Sequence, residues 1–237
     1  MIDHPILFST PMIRANLREI EHPGTGKTQT RRIIKPQPTG IITSHCWFNA
    51  PVYGFITKGR PTENWQTVKL LAQSGDRLWV REAWRTECNH YDDLKPSKMG
   101  GDETVLYDAD KEWSLNKSVG RARPSMFMPR WASRITLIVT DVRVQRLQDI
   151  SEEDAIAEGV ETERCCGVPS DACGTHLRGC CGQPEAVEPI DAYRELWDRI
   201  NGPGSWAVDP FVVAYTYQPY LSNIDQMTAA TEDRARA

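Results

Sequence analysis

The 237-residue chain has no uninterrupted apolar run long enough to cross a bilayer, which argues against a helical membrane protein. Residues 1–20 have neither the basic start nor the apolar stretch of a secretory leader. The expected location is therefore the cytoplasm, or a host cell's cytoplasm if the gene is viral. An even cysteine count is also missing: seven cysteines in a reducing compartment argue against a disulfide framework. No internal repeat and no linker-like stretch is visible, so one domain is expected. The chain lacks an excess of positive charge as well, since 28 Lys and Arg face 32 Asp and Glu for a net charge of −4. Spread evenly, that balance would exclude nucleic acid as a partner.

The charge is not spread evenly. Residues 1–36 carry Arg14, Arg18, Lys27, Arg31, Arg32 and Lys35 against Asp3, Glu19 and Glu21, and residues 117–146 are basic apart from Asp141. Residues 148–199 are rich in acids. Two basic segments lying side by side would make a local electrostatic footprint that the average hides; lying apart, they are solvated faces. Sixteen prolines, sixteen glycines and eight tryptophans favour a loop-rich, β-containing fold over a helical bundle.

Gly24-Thr25-Gly26-Lys27-Thr28-Gln29-Thr30-Arg31-Arg32 invites a phosphate-loop reading and resists it. Such a loop needs a glycine where this chain has Glu21, and it must leave a strand and open a helix so that backbone N–H groups face the phosphates. The order here is reversed. Pro11 behind Ser9 or Thr10, with Ile13, Leu17 and Ile20 at helical spacing, predicts a helix before the loop. A strand over 31–35, stopped by Pro36, is predicted after it.

Further along, residues 37–75 read as irregular with Trp47 and Trp65 as packing anchors, and Arg77 to Trp84 as a strand. Residues 87–124 read as a long loop with a short strand at 105–107, and Arg134 to Leu147 as the strongest strand. Ser151 caps a helix with an acid at its third position, and Gly159 ends it. Ile190 to Asn201 is an amphipathic helix stopped by Gly202-Pro203-Gly204, and Phe211 to Tyr217 a final strand. The pattern predicts one α+β domain over 1–221 built on a small, mixed or antiparallel β-barrel. Insertions are expected at about 37–74, 87–124 and 163–189, with a flexible tail over 222–237.

Several of these stretches together resemble the ASCH domain family, which shares the PUA-like β-barrel. They are the Gly26–Arg32 motif, the opening Pro5-Ile6-Leu7-Phe8-Ser9-Thr10-Pro11-Met12-Ile13-Arg14-Ala15, Gly75 to Glu82, Met128 to Arg134, and Leu147 to Val160. The likeness is to the larger phage and prophage branch. It implies recognition of RNA or a modified nucleoside. One small branch removes the acetyl group from N4-acetylcytidine, and its lysine, threonine and glutamate fall here on Lys27, Thr30 and Glu158. Arg32 would flank the pocket, with Arg31 as a second oxyanion donor. Thr30 could offer a hydroxyl nucleophile, Lys27 could activate it, and Glu158 could move the proton or hold a water. Taken without the resemblance, Lys27 and Thr30 are a solvated loop and a capping hydroxyl.

Trp79, Trp131, Arg130 and Arg134 interleave aromatic and basic groups in a way that suits base stacking; for Trp79 a place in the core is the stronger reading, and Glu82 reads as a partner for Lys27 or an arginine. The expected partner is a modified nucleoside or nucleic acid, RNA ahead of DNA, with no membrane. No cofactor is needed for the chemistry. Cys165, Cys173, His176 and Cys180, with Cys166 and Cys181 as substitutes, have the ligand types of a structural zinc site, the other reading being free thiols in a loop. Stoichiometric zinc and chelator-sensitive melting are expected of that site; protein that carries less than one zinc and melts unchanged with chelator removes it. Three functions compete: an amidohydrolase on an acylated base, a non-catalytic reader of RNA or modified DNA, and a ribonuclease.

Overall fold

The structure is a computed structural model. It describes residues 2–38, 42–47, 50–56, 65–101, 103–110, 119–164 and 185–227. Strands, in chain order, are β1 (Asp3–Leu7), β2 (Gln29–Ile33), β3 (Ile42–Trp47), β4 (Ala50–Ile56), β5 (Trp65–Thr67), β6 (Arg77–Arg81), β7 (Trp84–Thr86), β8 (Val105–Tyr107), β9 (Thr136–Arg146), β10 (Glu163–Arg164), β11 (Glu185–Ala186) and β12 (Phe211–Tyr220). Helices are α1 (Thr10–Glu21), α2 (Glu152–Ala157) and α3 (Pro189–Asn201). The fold is mixed α+β, and among the described residues no helix is long and apolar enough to cross a membrane.

The chain divides into two compact units built from interleaved segments. The first comprises Met1–Gly26, Ser74–Thr140 and Tyr217–Ala237, the second Lys27–Gln73 and Asp141–Thr216. The cluster around Trp84 lies in the first and the cluster around Trp197 in the second.

In the first unit β1 runs parallel to β6, and β6 runs antiparallel to the start of β9. Thr136 to Val139 are buried in succession, so both faces of β9 are covered there. β7 and β8 form a hairpin-like pair over Trp84, Met99, Met128 and Ala132. α1 follows Ser9 as N-cap with Pro11 in its first turn, as the sequence predicts. Its buried stripe is Met12, Ile13, Ala15, Asn16 and Glu19, displaced from the Ile13-Leu17-Ile20 line, because Glu19 turns inward to hold the following loop. The expected tail begins late: Ile224 is buried, and the Asn223 amide donates to three carbonyls, of Arg130, Trp131 and Ser133.

In the second unit β2 pairs antiparallel with β12, and β3, β4 and β5 form a meander. The side chains of Trp47 and Trp65, expected as anchors, lie outside the described residues. Leu147, Ile150, Ala155, Tyr193, Trp197 and Val212 form the core, joining α2, α3 and β12. Ser151 Oγ accepts the Asp154 N–H, capping α2 as predicted, and Gly159 at φ +80° ends it.

The expected barrel is not closed. Among the described residues, β1 in the first unit is paired on one edge only, by β6, and β2 in the second on one edge only, by β12, whereas a barrel requires every strand to be paired on both edges.

Candidate functional site

The loop after α1 explains why the glycine-lysine-threonine stretch is no phosphate cradle. The Glu19 carboxylate accepts from Gly24 N–H at 2.9 Å and from Gly26 N–H at 2.8 Å, while Thr25 N–H goes to His22 O. The amides that a phosphate would need are already bonded, and by an anion. In the second unit Thr28 N–H donates to Ala157 O, tying the start of β2 to the end of α2.

That tie brings together two residues 131 positions apart. Lys27 Nζ lies 2.6 Å from Glu158 Oε2 and donates also to the Glu158 carbonyl at 2.7 Å. Their side chains are 1% and 4% exposed, so this is a buried ion pair. Burial holds the Lys27 pKa below its ordinary 10.5, opposed by the Glu158 charge and reinforced by the cations Arg32 and Arg31. The facing carboxylate favours the protonated form of a lysine so placed, and burial disfavours it.

Arg31 is the second cation. One of its Nη groups reaches Glu158 Oε1 at 3.1 Å and Gln29 Oε1 at 2.5 Å; the other reaches Asp154 Oδ2 at 2.7 Å. Asp154 receives Arg143 and Gln29 as well. Burial works against ionisation of Asp154, but these donors and the Arg31 charge outweigh it and leave its pKa low. On the far side, the Tyr193 hydroxyl lies 3.5 Å from Glu158 Oε1 and the Arg31 guanidinium 5.8 Å from the Tyr193 ring. Burial, then the Glu158 charge, push the Tyr193 pKa well above 10.0, keeping it a neutral donor.

Lys27, Glu158 and Arg31 are thus joined, and Arg32 is near enough for its charge to act on Lys27. Thr30 is not part of this network. The Gln29–Arg31 bond puts those side chains on one face of β2, and strand alternation puts Thr30 on the other, opposite Tyr215 of β12.

The other expected binding residues, Trp79, Glu82, Arg130, Trp131 and Arg134, belong to the first unit and have partners there. Glu82 is paired bidentately by Arg134 at 3.0 and 3.1 Å, which answers the choice between lysine and arginine. Arg134 also holds both oxygens of Asp110 and lies 3.9 Å above the Tyr107 ring. Burial raises the Glu82 pKa despite this partner. Arg130 bridges Asp3 and Asp225. Trp79 is buried beneath the Arg81 guanidinium, as its core reading has it. Trp131 meets Trp84 edge-on at 6.3 Å within the apolar cluster, an arrangement that packs rather than presents a ring. Cys165, Cys166, Cys173, His176, Cys180 and Cys181 lie outside the described residues.

Asp154, Gln29, Arg143 and Tyr193 join the site without having been singled out. One signal was present: Asp154 and Glu158 are four apart on a helix, and Lys27 and Arg31 four apart along the loop and strand. Asp154 was absorbed by the capping pattern and Tyr193 by the apolar face of α3. Compared with known protein families, curated proteins and solved structures, the chain matches none.

Proposed function

We propose that the second unit carries the acid–base pair of an ASCH-type amidohydrolase with a PUA-like ancestry, acting on an N4-acylated cytidine or a related base. The single observation in support is the buried Lys27–Glu158 pair at 2.6 Å, two of the three residues that the resemblance marks as catalytic. In this reading ionised Glu158, held by Arg31, takes a proton from the attacking water. The Lys27 ammonium gives a proton to the leaving amine nitrogen, and Glu158 returns its proton to Lys27 across their shared bond. The balance is amide plus water to carboxylic acid plus amine. Arg31 and Arg32 supply positive charge for the oxyanion. Water is assigned as the nucleophile because Thr30 faces away from the pair.

Incubation with N4-acetylcytidine should release cytidine with little dependence on salt, and Thr30→Val should retain most of the rate. A Thr30→Val enzyme reduced to background would restore the hydroxyl nucleophile. A second reading, a non-catalytic reader of RNA or modified DNA, is favoured by the 1% exposure of Lys27, which leaves it little room to act. A reader shows salt-dependent oligonucleotide binding and no release of cytidine.

A further inference from the structure

We propose that Asp154 is a positioning residue for the Lys27–Glu158 pair, acting through Arg31. Arg31 spans two carboxylates with separate nitrogens, Nη2 on Asp154 at 2.7 Å and Nη1 on Glu158 at 3.1 Å. A guanidinium pinned by one carboxylate presents its other edge in one orientation only, because the group is planar and its donors are fixed relative to one another. Asp154 is itself pinned from outside the pair by Gln29 at 3.1 Å and Arg143 at 3.0 Å. The chain of contact runs Arg143–Asp154–Arg31–Glu158–Lys27, and its far end is the proton-transfer bond.

The position of Asp154 in α2 sharpens the point. A residue three beyond a serine N-cap ordinarily returns its carboxylate to the cap's own N–H. Here only half of that box forms: Ser151 Oγ accepts the Asp154 N–H, while the Asp154 carboxylate is turned onto β2 and Arg143. Helix capping therefore accounts for the backbone of Asp154 and not for its side chain.

The charges of Arg31 and Arg32 from β2 act on Lys27, Asp154 of α2 and Arg143 of β9 lie beyond Arg31, and Tyr193 of α3 lies against Glu158. Among the described residues, removing the Asp154 charge leaves Arg31 with Glu158 as its one carboxylate. The excess of cations around Lys27 then grows, and its ammonium becomes easier to deprotonate.

The test is a titration of lysine-labelled protein by NMR, following the Lys27 resonance identified by its loss in Lys27→Met. In Asp154→Asn the Lys27 titration moves to lower pH, and in Asp154→Glu it stays with the wild type. The deacylation part rests on the proposed function: Asp154→Asn lowers kcat about tenfold or more with KM little changed, as expected when reacting groups are displaced by a fraction of an ångström. Arg31→Lys keeps the charge but cannot span both carboxylates, and reports on the same bridge if Asp154→Asn does not fold. A lower melting temperature with the Lys27 titration unmoved would overturn the proposal. A wild type without deacylation sinks the proposed function and leaves the titration result standing.

Discussion

Glu158→Gln is expected to cost about 3–5 kcal/mol of folding stability and to reduce deacylation by about 10²–10⁴. The stability loss follows from burial. Lys27 and Glu158 are 1% and 4% exposed, so glutamine leaves an ammonium away from water with no opposing charge from its closest partner. Exposed ion pairs contribute far less, because water screens them. The loss should also depend on pH with a definite sign. The folded chain holds the Lys27 pKa below 10.5, so it releases that proton before the unfolded chain does. The unfolded state then binds more protons, and stability rises with pH toward about 10.5. Above about pH 10 the buried tyrosines act in reverse, since Tyr193 and Tyr215 keep their protons past the ordinary 10.0. Removing the Glu158 charge lowers the Lys27 pKa further. The deficit of Glu158→Gln is therefore largest near pH 7 and narrows toward about pH 10. Denaturant titrations across that range measure it; a deficit that is small or constant with pH contradicts a buried charged lysine.

Gly26→Ala is expected to cost about 3 kcal/mol or more, on a scale where ordinary overpacking costs 1–3. A Cβ at Gly26 would sit 2.3 Å from Ala15 O and 2.3 Å from Glu19 N, both backbone atoms of α1. Neither can swing aside as a side chain would, so the loop must leave the helix and give up the Glu19 bonds to Gly24 and Gly26. Gly24 is the internal control. At φ +85° it has nothing within 4 Å of an added Cβ, so alanine there brings only backbone strain, about 1 kcal/mol. Equal midpoint shifts for the two variants would show that the close approach to α1 does not hold in solution. Gly26 thus serves chain packing, which is why a motif that resembles a phosphate loop binds its own glutamate.

Elements with local signals were legible in the sequence. Pro11 behind Ser9 marked α1, Ser151 and Gly159 bracketed α2, and Gly202 closed α3. The pairing of Lys27 with Glu158 was legible only through the resemblance, because periodicity carries no information about which charged group meets which across 131 residues. The face that Thr30 occupies was not legible for a related reason. Residue spacing in a loop does not determine the face of the strand that follows, and here the Gln29–Arg31 bond decides it. Asp154 and Glu19 were hidden because each has a local explanation, a cap and a solvated helix position, that its side chain does not follow. The stretch 222–227 read as tail because its composition is polar, yet Asn223 uses that polarity to satisfy three part-buried carbonyls. Polarity predicts exposure only when no partner is in reach.

The central claim is that the Lys27–Glu158 pair performs chemistry. The most direct measurement is the conversion of N4-acetylcytidine to cytidine, followed side by side for the wild type and Lys27→Met. The wild type should turn over repeatedly, and Lys27→Met, folded and melting cooperatively, should be slower by about 10³ or more. Equal rates in the two proteins, or no cytidine from either, would contradict it.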